Sequence, residues 1–286
     1  MLISMKELLA DAELNNYAVG GFNCPTLEYV VAVVRAAEYC NKPVVLSFPQ
    51  VHERTIPLTV IAPILLDAAR NAPVPVCVHL DHGEDLDYLK KALDIGFTGV
   101  MLDASTRPWE ENVELSRRAT EMAHPYGASV EAELGSMGRH ESGCGEASAD
   151  GDDLRIYTDP LLAGEFVRLT DIDALACSFG TIHGIYLTKP KLDFNVVSAV
   201  RSQIGNKPIV MHGGSGVSPE DYRKAIAAGV RKINYYTYMD RAGAQAIFRN
   251  HAGGTTENLL FSDLMLEASA AMKENIKEAI TVFSRL

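Results

Sequence analysis

Apolar runs of strand length alternate with longer helical patterns eight times along this 286-residue chain, and few architectures accept that many βα units. The first unit pairs a helix over 4–14 with a strand over 17–24. Helices over 26–40, 57–71, 84–94 and 109–125 are followed by strands over 43–48, 75–82, 99–104 and 128–134. Helices over 160–170, 194–204 and 218–228 precede strands over 173–179, 208–213 and 231–237. Runs such as Pro43-Val44-Val45-Leu46 and Pro208-Ile209-Val210-Met211 are continuously apolar, the pattern of parallel strands covered on both faces. A closed α/β barrel of the (β/α)8 type is therefore expected. A doubly wound sheet is the alternative, but it usually has fewer units and a glycine-rich turn after its first strand. Here Gly20-Gly21-Phe22-Asn23-Cys24-Pro25 contains no G-x-G-x-x-G. Barrels of about 250 residues fold as one domain. Residues 1–286 are thus expected to form one barrel domain, with a helical extension over about 241–286.

The charge narrows the function. A formal net charge of −11, with basic residues dispersed, disfavours nucleic acid or an anionic membrane as partner. The start, Met1 to Leu9, lacks the basic region and long apolar run of a signal peptide, and no stretch reaches membrane-spanning length. The five cysteines are odd in number and lack C-x-x-C spacing, so a reducing, cytoplasmic location is expected. Two segments interrupt the repeat. Residues 138–158 are rich in Gly, Ser and Asp and longer than an ordinary βα loop, as lids and binding loops often are. The tail shows a helical pattern, a turn at Gly253-Gly254 and an amphipathic helix around Leu264 to Phe283.

In a barrel, catalytic groups gather where the C-terminal strand ends meet. The predicted strand ends carry Asn23, Ser47, Asp81 with His82, Asp103 with Ser105, Glu131 with Glu133, His183, His212, and Asn234 with Thr237. Taken alone, Asp81-His82 reads equally well as a hydrogen-bonded pair stabilising a turn. However, His82, His183 and His212 come from three different strand ends, each followed at once by glycine. Three imidazoles with an open position are the usual arrangement of a catalytic zinc. Glu133 shares a strand face with Glu131 and is a candidate further ligand, while Asp103 could support a ligand or hold a second cation. Glycines in Gly180-Thr181-Ile182-His183-Gly184 and His212-Gly213-Gly214-Ser215-Gly216 leave backbone N–H groups uncovered, the second run leading into a helix start at Ser218-Pro219-Glu220. That is how an anion such as phosphate is held.

These residues resemble the class II, metal-dependent fructose-bisphosphate and tagatose-bisphosphate aldolases. The matching pieces run in family order: Leu80-Asp81-His82-Gly83, Met101-Leu102-Asp103-Ala104-Ser105, Glu110-Glu111-Asn112-Val113, Val130-Glu131-Ala132-Glu133-Leu134-Gly135, Tyr157-Thr158-Asp159-Pro160, Gly180 to Tyr186, and His212 to Gly216. The resemblance implies a TIM barrel and reversible aldol cleavage of a ketose phosphate to dihydroxyacetone phosphate and an aldehyde, without a lysine Schiff base. It implies zinc on His82, His183 and His212, Glu133 as an alternative ligand and Asp103 at a second cation site. Asp81 aligns with the acid/base at the aldehyde oxygen, and Glu141 with the carboxylate that moves the C–H proton. Gly184, Gly213, Ser215, Asn234 and Thr237 align with the ketose-phosphate site, with Asn23 and Ser47 as further substrate contacts. A monovalent cation (Na⁺ or K⁺) near these loops and a homodimer or homotetramer are also implied.

The chain departs from that family at the aldehyde half. Asn234-Tyr235-Tyr236-Thr237-Tyr238 stands where family members carry small or acidic residues around the Asn and Thr. In the tail, Thr256 to Asp263 replaces the segment whose arginine holds a second phosphate. The preferred aldehyde is therefore expected to be smaller or less anionic than glyceraldehyde 3-phosphate. Three other readings compete: an ordinary fructose- or tagatose-1,6-bisphosphate aldolase, a barrel metallohydrolase, and a non-catalytic partner subunit on the same fold. A metallohydrolase would usually show H-x-H on strand 1, where this chain has Phe22-Asn23-Cys24. A non-catalytic subunit should have lost ligands or acid/base residues that are present here.

Overall fold

In the computed structural model, which describes residues 1–135, 157–186, 190–253 and 259–285, eight parallel strands close on themselves in chain order. The strands are β1 (Val19–Asn23), β2 (Val44–Pro49), β3 (Val76–Gly83), β4 (Gly99–Leu102), β5 (Ser129–Leu134), β6 (Ala174–Cys177), β7 (Ile209–Met211) and β8 (Val230–Tyr235). Helix α1 (Met5–Asn15) precedes them. The crossovers are α2 (Leu27–Cys40), α3 (Leu58–Asn71), α4 (Leu86–Ile95), α5 (Trp109–Ala123), α6 (Pro160–Thr170), α7 (Phe194–Ile204) and α8 (Pro219–Ala228). After β8 come α9 (Thr237–His251) and α10 (Phe261–Phe283). This is the (β/α)8 TIM barrel expected from the apolar repeat.

Local chemistry starts the helices where the strands need them to turn. Ser4 and Glu7 form a reciprocal capping box on α1, and the side chains of Asp85, Asp159, Asp193 and Ser218 cap α4, α6, α7 and α8. Along each strand, alternate residues then serve two different cores. Val76, Val78 and Leu80 pack outward against the helices. Cys77 faces inward, with Val19, Val45, Ala174, Ala176 and Val210, onto Met5, Leu8, Leu9 and Ala12 of α1, so α1 plugs the bottom of the barrel. Higher up, the inward positions turn polar: Ser47, His79, Asp81, Glu131 and Lys232 are all 0% exposed.

Several boundaries differ from the sequence pattern. Strand β7 stops at Met211, leaving His212 just beyond it, and β8 stops at Tyr235. Thr237, expected on the last strand, instead opens α9, because Tyr236 leaves the extended conformation at φ −139° and ψ −64°. The tail helices accordingly begin earlier than their apolar periodicity implied. Short 3₁₀ turns at Gln50–Arg54 and His124–Tyr126 had no pattern to announce them. Residues 136–156, which include Glu141 and most of the long loop, and Gly254 of the tail turn lie outside the described residues. No helix among the described residues is long and apolar enough to cross a membrane.

Candidate active site

Strict alternation along β3 would send Asp81 inward and His82 outward. The backbone prevents this. His82 adopts a left-handed φ of 43°, and the pairing of β3 with β4 slips between Leu80 and Gly83. A side chain at Gly83 would meet the Met101 carbonyl at 2.7 Å, so glycine is required for the strands to pass that closely. The bulge is what lets two adjacent polar residues serve one mouth.

His82 thereby joins the two histidines from the far side of the barrel. Its ring centroid lies 5.2 Å from that of His183 and 4.6 Å from that of His212, which are themselves 5.7 Å apart. One nitrogen from each ring falls within 4.8 Å of the others. The loops carrying His183 and His212 are locked together at Gly213, where φ is 61° and a Cβ would strike the Ile182 carbonyl at 2.3 Å. Tyr186 ties them further by donating its hydroxyl to the Gly213 carbonyl at 2.8 Å.

Outer contacts decide which nitrogen each ring offers. His82 Nδ1 meets Asp103 Oδ2 at 2.8 Å, which assigns coordination to Nε2. His212 Nε2 meets Glu131 Oε1 at 2.7 Å, and Lys232 Nζ donates to Glu131 Oε2 at 2.8 Å. His212 Nδ1 is buried without a hydrogen-bond partner among the described residues, 3.6 Å from Glu133 Oε2. Burial, then the neighbouring His82, pushes the His212 pKa well below its ordinary value, which favours the neutral, coordinating imidazole. Burial alone would raise Asp103, but hydrogen bonds from His82 and Ser105 outweigh it and hold the carboxylate well below its usual range. Three imidazoles, two of them oriented by carboxylates, fit zinc. Asp103 meets the trio at His82, and Asp103, His82 and Glu133 also bring ligand atoms within 4.8 Å of one another.

Beneath the histidines lies a polar cluster that the sequence reading did not assemble. Asn234 Nδ2 donates to both Asp81 oxygens at 3.2 Å, fixing the carboxylate's orientation. His79 Nε2 sits between Asp81 Oδ1 at 3.8 Å and Glu131 Oε2 at 3.7 Å. His79 is held neutral, its pKa far below the ordinary value through burial and then the charge of Lys232. His79, Asp81 and Glu131 could in geometry hold a cation, but the Lys232 ammonium already neutralises Glu131 there. The signal available was period two: His79 shares a face with Asp81, as Lys232 does with Asn234.

A cavity of about 250 Å³ opens beside the trio and is lined in part by Asn23, His183, Gly184, Gly213, Ser215, Asn234 and Thr237. Six of the seven predicted substrate contacts thus meet in one place. The seventh, Ser47, is fully buried on β2, its Oγ without a hydrogen-bond partner among the described residues. Tyr236 and Tyr238, which stand where the family carries small or acidic residues, occupy different places. Tyr236 lines the cavity, whereas the ring of Tyr238 stands against Gly216, 2.7 Å from where a Cβ would be. Asp240 and Arg241, which sequence reasoning passed over, also line the cavity. Glu141 lies outside the described residues.

Comparison with known proteins agrees with this geometry. Residues 3–285 match the family model described as fructose-bisphosphate aldolase class-II. The chain is 41% identical over 251 residues to the fructose-bisphosphate aldolase of Staphylococcus epidermidis, covering 86% of this chain and 85% of the relative. It is 39% identical over 287 residues to that of Staphylococcus aureus, covering 99% and 97%. Among solved structures, the YdjI aldolase of Escherichia coli K12 superposes with a TM-score of 0.86 at 34% identity, over 99% of this chain and 97% of that one.

Proposed function

Since the chain belongs to the class II fructose-bisphosphate aldolase family and is a lyase of that class, we propose that it cleaves a ketose phosphate reversibly to dihydroxyacetone phosphate and an aldehyde. The observation that carries this reading is the convergence of His82, His183 and His212, with ligand atoms within 4.8 Å of one another, beside a cavity lined by His183 and by Asn234, which holds Asp81. His82, His183 and His212 would hold zinc, with Glu133 as an alternative ligand. When bound, the zinc supplies a Lewis acid for the ketose carbonyl.

The chain's own residues do the remaining work in this reading. Gly184, Gly213, Ser215 and Thr237 hold the phosphate, Ser215 Oγ accepting from Tyr236 N–H at 3.0 Å and so turning its own hydrogen toward the ligand. Asp81, oriented by Asn234, takes the proton from the hydroxyl that becomes the aldehyde oxygen and returns it in the condensation direction. Glu141 moves the proton at the ketose carbon. Two carboxylates are needed because the two transfers occur at different atoms. A monovalent cation at the phosphate loops and a homodimer or homotetramer belong to the same proposal.

The test combines two assays on zinc-loaded protein: exchange of a C–H hydrogen of dihydroxyacetone phosphate with solvent, and cleavage of ketose phosphates. Both should be present, and absence of exchange would contradict the assignment. A second reading, that the substrate is fructose 1,6-bisphosphate, is favoured by the staphylococcal relatives named for that activity.

A further inference from the structure

The cavity has a charged rim on its β8 side, where the consecutive residues Asp240 and Arg241 of α9 both line it. Residues four apart share a helix face, so Arg241 falls over Thr237 while Asp240 falls over Tyr236. Contacts bear this out. The Arg241 guanidinium lies 6.0 Å from the centroid of the Tyr238 ring, and Tyr238 stands on Gly216, which puts the cation on the side of the glycine-rich phosphate loop. Asp240 turns the other way and accepts a hydrogen bond at Oδ1 from the hydroxyl of Tyr29 on α2. Tyr29 packs on Tyr236 at 5.9 Å between centroids, and His52 meets Tyr236 edge-on at 5.4 Å. This wall is built from the segments that follow β8, β1 and β2.

A second observation points to a ligand on that side. Asn23, at the end of β1, lines the cavity and is only 6% exposed, yet its Oδ1 has no hydrogen-bond partner among the described residues. A buried acceptor of this kind calls for a donor.

Resting on the ketose-phosphate reading above, we propose that the start of α9 sorts the substrate by charge. Arg241 takes the phosphate of the ketose, while Asp240, held by Tyr29 against Tyr236 and His52, forms with Asn23 an acceptor-rich subsite for the hydroxyls of an uncharged aldehyde. Sugar hydroxyls can donate to both acceptors. A second phosphate would bring only acceptors and like charge to the Asp240 carboxylate, which disfavours it. The reaction balances as in any aldol cleavage, and only the choice of aldehyde is affected.

The experiment measures kcat/KM for a ketohexose 1-phosphate and for its 1,6-bisphosphate in the wild type and in Asp240→Asn, Tyr29→Phe and Arg241→Gln. Because the readout is a ratio of two substrates on one protein, partial misfolding cancels. The wild type should favour the monophosphate. Asp240→Asn should shift the ratio toward the bisphosphate by roughly tenfold, the scale of one lost charge repulsion near a half-buried site. Tyr29→Phe should shift it the same way by less. Arg241→Gln should raise KM for both sugars and for dihydroxyacetone phosphate alone by about tenfold, as loss of a charge-assisted phosphate contact does. A wild type that prefers the bisphosphate, or an Asp240→Asn ratio within about twofold of wild type, overturns the charge sorting. Failure of dihydroxyacetone phosphate exchange in the wild type would instead overturn the underlying aldolase reading, so the two failures are separable.

Discussion

The two ends of the barrel are made from the same eight strands, yet they treat most of their buried polar atoms differently. At the bottom, Asp173 accepts from the Val130 N–H at 2.9 Å, meets His124 Nε2 at 3.0 Å and pairs with Lys6 at 3.2 Å. Nearby, Arg231 reaches Glu13 at 3.0 Å and the Ile226 and Val230 carbonyls at 2.9 Å. At the mouth, Asn23 Oδ1, Ser47 Oγ, Asn234 Oδ1 and His212 Nδ1 are buried without such partners among the described residues. An orphaned buried polar atom costs about 1–3 kcal/mol. At the bottom Asp173 Oδ1 also lacks a hydrogen bond, but it faces the Lys6 ammonium at 3.2 Å. A chain that gathers its orphaned buried polar atoms at the mouth has built the mouth for something other than its own stability, in keeping with the division of labour in TIM barrels.

The sharpest way to break this contrast is at the mouth. His212→Ala should lose stoichiometric zinc by elemental analysis and lower kcat by about 10³ or more, since the Lewis acid contributes several kcal/mol to such a step. Full zinc and full activity in that variant would remove His212 from the ligand set. A smaller but more discriminating effect is expected from the two carboxylates. Glu141→Ala should slow hydrogen exchange at dihydroxyacetone phosphate by roughly 10², while Asp81→Asn should impair cleavage more than exchange. Equal losses in both assays for both variants would mean that the proton transfers are not divided between them.

The smallest expected effect lies at the bottom, and it is on stability alone. Asp173→Asn should cost about 1–3 kcal/mol, the scale for a hydrogen-bonded buried charge, and leave kcat unchanged. Its pH dependence supplies the sign. Burial alone would raise the Asp173 carboxyl, but the Val130 N–H, His124 and Lys6 outweigh burial and hold it below the usual carboxylate range. On acidification the unfolded chain therefore binds its proton first. The stabilisation is fully present above pH about 4 and is lost as pH falls through the native value. Thermal melts between pH 7 and 3 should show a shallower acid decline for Asp173→Asn than for the wild type. A parallel decline would show that Asp173 adds no pH-linked stability.

The same contrast explains what could be read from the sequence. The strands were legible because both faces of each are buried, so their composition stands out against the amphipathic helices. His82, His183 and His212 were legible because each interrupts an apolar run beside a glycine. His79 and Lys232 were not, since a single polar residue inside an apolar strand has no meaning until the barrel closes and brings Glu131 to it. That His82 shares the mouth with Asp81 depends on a bulge between β3 and β4, a property of pairing rather than of one strand. Asp240 and Arg241 were hidden by a boundary: with β8 taken to run through Thr237 and the helical extension to begin at about 241, they fell at the junction between the last strand and the tail. Their opposite directions emerge only once α9 is known to begin at Thr237.

The central claim is that the mouth assembles a three-histidine zinc site, and anomalous diffraction tests it most directly. Crystals of the zinc-loaded protein would be measured above and below the zinc absorption edge. The account predicts one strong anomalous difference peak enclosed by His82 Nε2, His183 and His212 Nδ1. A peak among His79, Asp81 and Glu131 instead, or none at the three histidines, would contradict it.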